Sequence, residues 1–209
     1  MKEALLIIDV QNDYFPGGTC ELYHAREAED NIIRLIDESR KAGRPIVYVR
    51  HINPPDDTFF LEGTPGCEIS DRIKPRPEDI VIDKNYPNSF LETDLEVCLR
   101  SLEIQKLIVC GMMTHMCVDT TVRAAMDYGY KVEVVANACA TMDLEINGEV
   151  IPAEEGETIW IADEKTLKIQ LPDIGKMKVY HFREPDGKER AAQPEVYEEY
   201  LTYVQYQEY

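Results

Sequence analysis

The sequence has no long apolar run, little positive charge and no closely spaced cysteine pair, and each of these absences excludes a class of protein. No stretch approaches the roughly 20 consecutive apolar residues that a membrane-spanning helix needs. The apolar part of "MKEALLIIDVQND" is too short for a signal peptide. The 40 Asp and Glu residues outnumber the 22 Lys and Arg residues, which gives a net charge of −18 that repels phosphate backbones. We therefore expect a cytoplasmic protein that binds neither membrane nor nucleic acid.

The cysteines are scattered, at positions 20, 67, 98, 110, 117 and 139. No two of them have C-x-x-C spacing, and no cluster of cysteine and histidine has the spacing of a zinc site. In a reducing cytoplasm they are expected to be free thiols. Cys98 and Cys110 fall within a helical and a strand pattern, where cysteine packs as a small hydrophobic residue. We interpret both as structural.

The remaining composition is typical of a globular domain built from alternating strands and helices. With 209 residues, 44% of them hydrophobic and 30% charged, the chain can form one full core with an appendage. Short apolar runs typical of strands buried on both faces cover residues 4–10, 45–50, 79–84, 106–112 and 131–137. Amphipathic helices are predicted over residues 25–42, 94–103 and 115–128, with Thr93 as the N-cap of the second. The alternation predicts an α/β fold, a three-layer α/β/α arrangement with a mainly parallel, Rossmann-like sheet.

The pattern changes after residue 153, so we divide the chain into a core of residues 1–153 and an atypical C-terminal extension of residues 154–209. The extension carries short alternating runs such as "TLKIQL" and "MKVYHF", which predict β-strands, and a tyrosine-rich tail that predicts a helix. Because aromatic side chains are enriched at interfaces, we expect the extension to pack on the core or on a second subunit.

Three reactive side chains stand where predicted strands end. Asp9 closes the first strand, Lys84 closes the third, and Cys117 follows the turn after the fourth. The ligand site of a parallel α/β sheet lies at the carboxyl ends of its strands, so these side chains are expected to converge there. Each has a structural alternative: Asp9 can cap a turn, Lys84 can lie in solvent, and Cys117 can be a buried thiol.

The surroundings of Cys117 favour a reactive thiol. Thr114 is a candidate N-cap, which would put Cys117 in the first helical turn, beside backbone N–H groups without internal partners. Their partial positive charge, together with Lys84, is expected to lower the pKa of the thiol and to stabilise a thiolate. Asp9 would accept the thiol proton and later activate water. These residue types in this order predict nucleophilic attack on a carbonyl group.

The core contains, in this order, the segments "LLIIDVQNDYFPGG", "IVIDKNYPNSFLETDLEVCLRSL" and "IVCGMMTHMCVDTTVRAAMDYGYKVEVVANACAT". Together they resemble the isochorismatase-like cysteine hydrolases, a family that includes nicotinamidases and N-carbamoylsarcosine amidohydrolase. The resemblance extends over residues 1–153. It implies a hydrolase that cleaves a C–N amide or ureido bond of a small molecule through a thioester on Cys117. It also implies a homo-oligomer, either a dimer or a tetramer.

The same resemblance assigns roles to individual residues. Asp9, Lys84 and Cys117 match the catalytic triad of the family. The "GMMT" turn matches the place where the family has a cis peptide bond, here Met112–Met113. In the family this bond directs the backbone N–H of Met113, with that of Cys117, into an oxyanion hole.

Metal and substrate binding depend on a few residues near the strand ends. Nicotinamidases carry an Asp-x-His metal motif and a further histidine after the second strand, whereas "RHINPPDDTFF" has only His51. We therefore expect no metal and no cofactor, with His51 either packing in the core or contacting substrate. Tyr14 and Phe15 either stack on a planar substrate or pack in the core. Gln11 is expected to hydrogen-bond near Asp9 or to the substrate.

Two other functions stay open at this stage. Isochorismatase-type hydrolysis of a vinyl ether does not need a cysteine nucleophile, so the presence of Cys117 favours the amidase. The other alternative is a non-catalytic binding or assembly module, with the acidic, tyrosine-rich extension as its working surface. Thiol alkylation separates the cysteine hydrolase from the binding module, since a hyper-reactive Cys117 indicates catalysis and an inert one indicates the module.

Overall fold

Five parallel strands form the central sheet of the computed structural model, which describes residues 1–146 and 149–153. The strands are β1 Glu3–Ile8, β2 Ile46–His51, β3 Ile80–Lys84, β4 Lys106–Met112 and β5 Lys131–Ala140. Their order across the sheet is β3-β2-β1-β4-β5, and every neighbouring pair is parallel. The central runs form strands because their Leu, Ile and Val side chains are buried on both faces of the sheet. The predicted α/β fold with a mainly parallel sheet is confirmed.

The helices that connect these strands are α1 Ala25–Lys41, α2 Leu95–Ser101 and α3 Asp119–Asp127. The chain moves outward from β1 to β3 and then returns to β4. Right-handed crossovers therefore put α1 on one face of the sheet, and α2 and α3 on the other. The apolar stripe of α1 buries Ile32, Leu35 and Ile36. The helix ends before Gly43, whose φ of 65° suits a residue without a side chain.

Two of the element boundaries that differ from the prediction have a clear structural reason. Asp94, not Thr93, occupies the N-cap position of α2. Thr93 stands one residue earlier, where its hydroxyl donates to Ser89 O at 2.6 Å and accepts from Leu95 N–H at 3.3 Å. The fifth strand is longer than predicted, because β5 stays paired with β4 beyond a register shift between Val109 and Gly111.

Beyond β5, the short strands β6 Leu144–Ile146 and β7 Glu149–Ile151 pair in antiparallel fashion. The predicted strands, helix and packing of the C-terminal extension lie outside the described residues, as does the predicted domain boundary after residue 153. Within residues 1–146 and 149–153, no helix is long and apolar enough to cross a membrane.

The connections of β1 and β4 diverge at the carboxyl edge of the sheet, which is where open α/β sheets bind their ligands. From β1 the chain leaves toward β2, and from β4 it leaves toward β5 on the opposite side. Gly111 lets β4 approach β1 closely here, because a Cβ on Gly111 would lie only 2.0 Å from Ile8 O. The two strands therefore diverge directly beyond Ile8 and Met112, where Asp9 and Met113 follow.

Candidate active site

Asp9, Lys84 and Cys117 meet at the carboxyl edge of the sheet, where the sequence predicts that they converge. The Nζ atom of Lys84 lies 2.7 Å from Asp9 Oδ2 and 3.2 Å from Cys117 Sγ. The relative exposures of Asp9, Lys84 and Cys117 are 0%, 1% and 5%. Lys84 is therefore not a solvated loop lysine: it ends β3, and its side chain crosses the end of β2 to reach Asp9.

Asp9 is a fully buried carboxylate whose charge is balanced by Lys84. It follows β1 with a left-handed φ of 51°, a conformation that aspartate tolerates better than most residues. Neither of its carboxylate oxygens accepts a well-directed hydrogen bond from a described residue, so the 2.7 Å contact with Lys84 is an ion pair. A buried charge needs such a partner. The lone pairs of Asp9 remain available for a proton.

Cys117 lies in a π-helical turn, Thr114–Val118, that leads directly into α3. The predicted N-cap role of Thr114 is wrong. The cap position belongs to Met113, and the Thr114 hydroxyl donates to Ala140 O at 3.2 Å, which ties the turn to β5. Turns of this kind widen a helix locally and are frequent at functional sites. Cys117 therefore does not occupy the regular first-turn position that the sequence predicts.

The resting state of Cys117 is set mainly by burial. Burial raises the pKa of the thiol above its usual value, the carboxylate of Asp9 raises it further, and the ammonium of Lys84 opposes both effects only in part. The thiolate predicted from the sequence is therefore wrong for the resting protein at neutral pH. A protonated Cys117 becomes a nucleophile only when a base removes its proton. A carboxylate oxygen of Asp9 lies within 4.8 Å of Cys117 Sγ.

The peptide bond between Met112 and Met113 is cis, as the family resemblance implies. It joins the last residue of β4 to the π-helical turn, so Met113 and Cys117 belong to one short piece of chain. The carbonyl of Met113 accepts from the N–H groups of Met116 at 3.1 Å and Val118 at 3.2 Å, which holds the turn together. Both backbone N–H groups that the resemblance assigns to an oxyanion hole therefore come from this turn and its first flanking residue.

His51 ends β2 and contacts the other site residues. Its Nδ1 atom lies 2.7 Å from Lys84 Nζ and 3.9 Å from Asp9 Oδ2. Burial lowers the pKa of His51, and the neighbouring charge of Lys84 lowers it further. The imidazole is therefore neutral at pH 7, buried beside a lysine and a carboxylate.

Gln11 holds the backbone of His51, so of its two predicted alternatives the structure shows the hydrogen bonding near Asp9. Its Oε1 accepts from His51 N–H at 2.7 Å, and its Nε2 donates to His51 O and to Cys67 O, both at 2.8 Å. Both amide protons and the amide oxygen are thus engaged by main-chain groups. Gln11 joins the end of β2 to the turn Pro65–Cys67.

Asp9, His51 and Cys117 are a group of side chains whose metal-ligand atoms lie within 4.8 Å of one another. The ammonium of Lys84 lies among them, at 2.7 Å from Asp9, 2.7 Å from His51 and 3.2 Å from Cys117. A metal ion here would have to displace a buried positive charge, so this donor set does not fit one. The expectation of a metal-free site stays a prediction.

An aromatic cluster of Tyr14, Phe59 and Phe60 lies beside the site. The ring centroids of Tyr14 and Phe60 are 4.6 Å apart in an edge arrangement, and those of Phe59 and Phe60 are 4.8 Å apart. Burial raises the pKa of Tyr14, and electrostatic interaction with Asp9 and Cys117 raises it further. Sequence analysis missed the two phenylalanines. Their only signal was an aromatic pair within a segment that otherwise has the composition of a loop.

Two polar residues hold the aromatic cluster in place. Asp13 Oδ2 accepts from Phe60 N–H at 2.7 Å. Asn53 donates through Nδ2 to Phe59 O and through its backbone N–H to Phe60 O, both at 3.0 Å. The intervening residues 54–58 are exposed. The loop is therefore fixed at both ends, with its aromatic end against the site.

Phe15, the other predicted substrate contact, packs in the core. It is buried, and the guanidinium carbon of Arg26 lies 4.2 Å from the centre of its ring. One face of the ring is thus covered by a cation, an arrangement that stabilises the pair electrostatically. Of the two alternatives for Phe15, the structure supports core packing.

Comparison with known proteins adds an independent line of evidence. The family model of the isochorismatase domain matches residues 3–149. A Bacillus subtilis protein described as the uncharacterized isochorismatase family protein YddQ is 44% identical over 155 residues, which cover 74% of this chain and 86% of the relative. The crystal structure of an isochorismatase from Pseudomonas putida KT2440 is similar, with a TM-score of 0.70 and 42% identity, covering 74% of this chain and 79% of that one.

An amidase is also among the similar structures. The crystal structure of N-carbamoylsarcosine amidase from Thermoplasma acidophilum has a TM-score of 0.64 and 29% identity, covering 68% of this chain and 85% of that one. The residues that the family model matches include Asp9, Lys84 and Cys117. On the family model and the YddQ match together, the chain belongs to the isochorismatase family of hydrolases.

Proposed function

We propose that the protein is a cysteine hydrolase that cleaves a C–N amide or ureido bond of a small molecule through a thioester on Cys117. The observation that carries the proposal is the buried contact of Lys84 with both Asp9 and Cys117, at 2.7 Å and 3.2 Å. A carboxylate, an ammonium and a thiol at one sheet edge supply a base, a cation and a nucleophile. The similarity to a structure named as an amidase supports this reaction class.

In the first half-reaction, Asp9 takes the proton of the Cys117 thiol while the sulfur attacks the carbonyl carbon of the substrate. This transfer is required because burial raises the pKa of Cys117, and Lys84 stabilises the thiolate as it forms. The C–S bond forms and the π electrons move to oxygen. When the intermediate collapses, the C–N bond breaks and the leaving nitrogen takes the proton from Asp9. Ammonia or an amine departs, and a thioester remains.

The second half-reaction uses the same base. Asp9, again a carboxylate, takes a proton from water while the water oxygen attacks the thioester carbonyl. The C–S bond then breaks, and the Cys117 sulfur regains the proton from Asp9. An amide substrate yields a carboxylic acid, and a ureido substrate yields a carbamic acid. The enzyme returns to its resting state with the thiol protonated.

The oxyanion that forms in both half-reactions is assigned to the backbone N–H groups of Met113 and Cys117. Donors fixed in a dry site stabilise such a charge more strongly than water does. The aromatic cluster, Tyr14 with Phe59 and Phe60, supplies apolar aromatic surface for the remainder of the substrate. Small planar amides and ureas fit this combination of a buried thiol and aromatic surface.

The experiment that tests the proposal is ammonia release from a panel of primary amides and ureas, with Cys117→Ala as the matched variant. We expect the wild-type protein to hydrolyse at least one compound of the panel and Cys117→Ala to hydrolyse none. Intact-protein mass spectrometry should show an acyl adduct on Cys117 during turnover. Hydrolysis at the wild-type rate by Cys117→Ala would contradict the nucleophile.

The same panel, extended with a vinyl-ether substrate, separates the alternatives. Cleavage of the vinyl ether alone would favour isochorismatase-type chemistry, which does not need the thiol. An inert Cys117 and no turnover of any compound would favour a binding or assembly module.

The proposal places the reaction in the cytoplasm and in a homo-oligomer, a dimer or a tetramer. All six cysteines are free, as expected in a reducing compartment. Cell fractionation and light scattering of the purified protein test these two parts separately. Recovery outside the cytoplasm would contradict the first, and a monomer at working concentration would contradict the second.

A further inference from the structure

Lys84 contacts a third polar side chain besides Asp9 and Cys117. His51 Nδ1 lies 2.7 Å from Lys84 Nζ, as close as Asp9 Oδ2. An ammonium group carries three protons and no lone pair, so Lys84 is the donor in this contact. Nδ1 of His51 must therefore present a lone pair, and the proton of the neutral imidazole must be on Nε2.

The ammonium group therefore has three polar partners. His51 and Cys117 accept hydrogen bonds from it at 2.7 Å and 3.2 Å, and Asp9 forms an ion pair with it at 2.7 Å. These partners matter because Lys84 is buried and its ammonium group cannot hydrogen-bond to bulk water. An ammonium proton left without a partner in such a place is unfavourable, and the group then loses a proton or moves toward solvent.

The fold fixes the imidazole at this point. β2 lies between β1, which leads to Asp9, and β3, which ends in Lys84. His51 is the last residue of β2, and its register partner on β3 is Lys84. The backbone of His51 is held on both sides by Gln11. The backbone that carries the imidazole is therefore fixed beside Lys84.

We propose that His51 is a positioning residue: by accepting a hydrogen bond through Nδ1, it holds the ammonium of Lys84 between the Asp9 carboxylate and the Cys117 sulfur. The inference rests on the proposed function, because it concerns the cation that the proposed mechanism uses. It gives His51 a role different from those of a metal ligand and a substrate contact.

The charges around His51 keep its ring in the form that this role requires. Burial and the ammonium of Lys84 lower the pKa of His51, whereas the carboxylates of Asp9 and Asp57 raise it and the side chain of Asn53 raises it as well. The lowering effects are the larger ones. The ring is therefore neutral at neutral pH and able to accept.

The first test is the pH dependence of Cys117 alkylation by iodoacetamide, which needs no substrate. His51→Leu removes the acceptor, so the ammonium is lost from beside the sulfur. We expect alkylation about tenfold slower at neutral pH and a midpoint shifted to higher pH. His51→Asn keeps an acceptor oxygen near the position of Nδ1 and should restore most of the rate. A residue with only a structural role would alter the folded fraction and leave the midpoint unchanged.

His24→Asn is the matched control. His24 is an exposed histidine in a left-handed conformation, which asparagine tolerates. In this variant, Cys117 should be alkylated at the wild-type rate across the pH range. An alkylation profile of His51→Leu that coincides with this control would overturn the proposal.

The second test measures the contact in the wild-type protein, so it does not depend on whether a variant folds. Nitrogen NMR of the histidine side chains, assigned with His51→Asn, should show His51 with its proton on Nε2 and a hydrogen-bonded, unprotonated Nδ1. The Nδ1 signal should move to that of a free acceptor in Lys84→Met. A protonated Nδ1, or a signal indifferent to Lys84→Met, would overturn the proposal. A protein that gives the expected results yet hydrolyses no amide would support the role of His51 and contradict the proposed function.

Discussion

Gln11 and His51 are joined through both polar ends of one amide group, Gln11 Oε1 to His51 N–H at 2.7 Å and Gln11 Nε2 to His51 O at 2.8 Å. The side chain of Gln11 thereby replaces a strand neighbour at the point where β2 leaves the sheet. Its second amide proton goes to Cys67 O at 2.8 Å. The imidazole that meets Lys84 is consequently supported by a buried residue with no spare amide proton.

We predict that Gln11→Met lowers the free energy of unfolding by about 2–5 kcal/mol, because three buried main-chain groups lose their partner. Urea denaturation measures the change. Gln105→Met is the matched control, since Gln105 is exposed and its side-chain oxygen accepts a hydrogen bond from Lys2 N–H at 3.3 Å. The control should change stability by less than about 0.5 kcal/mol. Equal losses in the two variants would show that the amide network around His51 contributes little.

The raised pKa of Cys117 leads to a prediction in which reactivity and catalysis change in opposite directions. The Asp9 carboxylate raises the pKa of the thiol, so Asp9→Asn should lower that pKa and accelerate alkylation at neutral pH, by roughly tenfold for each unit. Amide hydrolysis should nevertheless be lost, because no base remains to accept the thiol proton. In the wild type, the alkylation rate should rise steeply only when the pH exceeds the pKa of an ordinary thiol, about 8.5.

Lys84→Met is the counterpart, because the ammonium lowers the pKa of Cys117. Removal of the ammonium should make alkylation of Cys117 slower than in the wild type and move its pH profile to higher pH. Peptide mass spectrometry of Cys117 after timed exposure to iodoacetamide measures all three proteins. If Asp9→Asn labels more slowly than the wild type at neutral pH, the thiol and the carboxylate are not coupled as the structure indicates.

The arrangement of Asp9, Lys84 and Cys117 was predictable from the sequence because one rule carries it. Continuous apolar runs reveal parallel strands, and the carboxyl ends of parallel strands share an edge. No knowledge of side-chain contacts is needed to place three residues on that edge. The cis bond at Met112–Met113 was implied by the family resemblance and not by the residues themselves.

The protonation of Cys117 was not predictable in the same way. Helix periodicity does not distinguish an α-helical first turn from the π-helical turn that the chain adopts. The sequence therefore predicts an N-cap at Thr114, whereas the structure has it at Met113. The pKa of the Cys117 thiol depends on its burial, and the sequence does not show how exposed the thiol is to water. Local charge alone suggested a thiolate, whereas desolvation is the larger effect.

The specific contacts of Gln11, Phe59 and Phe60 were also not predictable from the sequence. Their roles arise from contacts between a strand end and a loop that is distant in sequence. Such contacts follow from the path of the loop, which composition describes only as irregular. The aromatic cluster therefore emerges only from the folded chain.

We predict that exhaustive treatment with a chelator leaves both amide hydrolysis and Cys117 alkylation unchanged. The ammonium of Lys84 already lies among the only donor atoms of the described residues that cluster closely enough for a metal. Activity before and after dialysis against the chelator, with metal content measured in parallel, checks this expectation. Loss of activity that added zinc or iron restores would contradict it.

Gly111 is the position where β4 comes closest to β1, directly before the site. A Cβ there would lie 2.0 Å from Ile8 O and 2.7 Å from Ile8 N, and both are backbone atoms that cannot turn aside. We predict that Gly111→Ala destabilises the protein by about 3 kcal/mol or more. Because the strands must separate to admit the methyl group, the ends of β1 and β4 should also lose their alignment, and hydrolysis should fall in the fraction that stays folded.

Gly43→Ala separates this close approach from the general strain of replacing a glycine. Gly43 also has a positive φ, of 65°, but nothing lies within 4 Å of where its Cβ would stand. Its replacement should therefore cost only about 1 kcal/mol, the penalty of the left-handed conformation, and leave turnover per folded molecule unchanged. Thermal unfolding measures the loss of stability. The rate of hydrolysis, divided by the number of active sites titrated with iodoacetamide, measures turnover per folded molecule. If both variants lose the same stability and neither loses turnover, then contact between β1 and β4 is not what aligns Asp9 with the turn that carries Cys117.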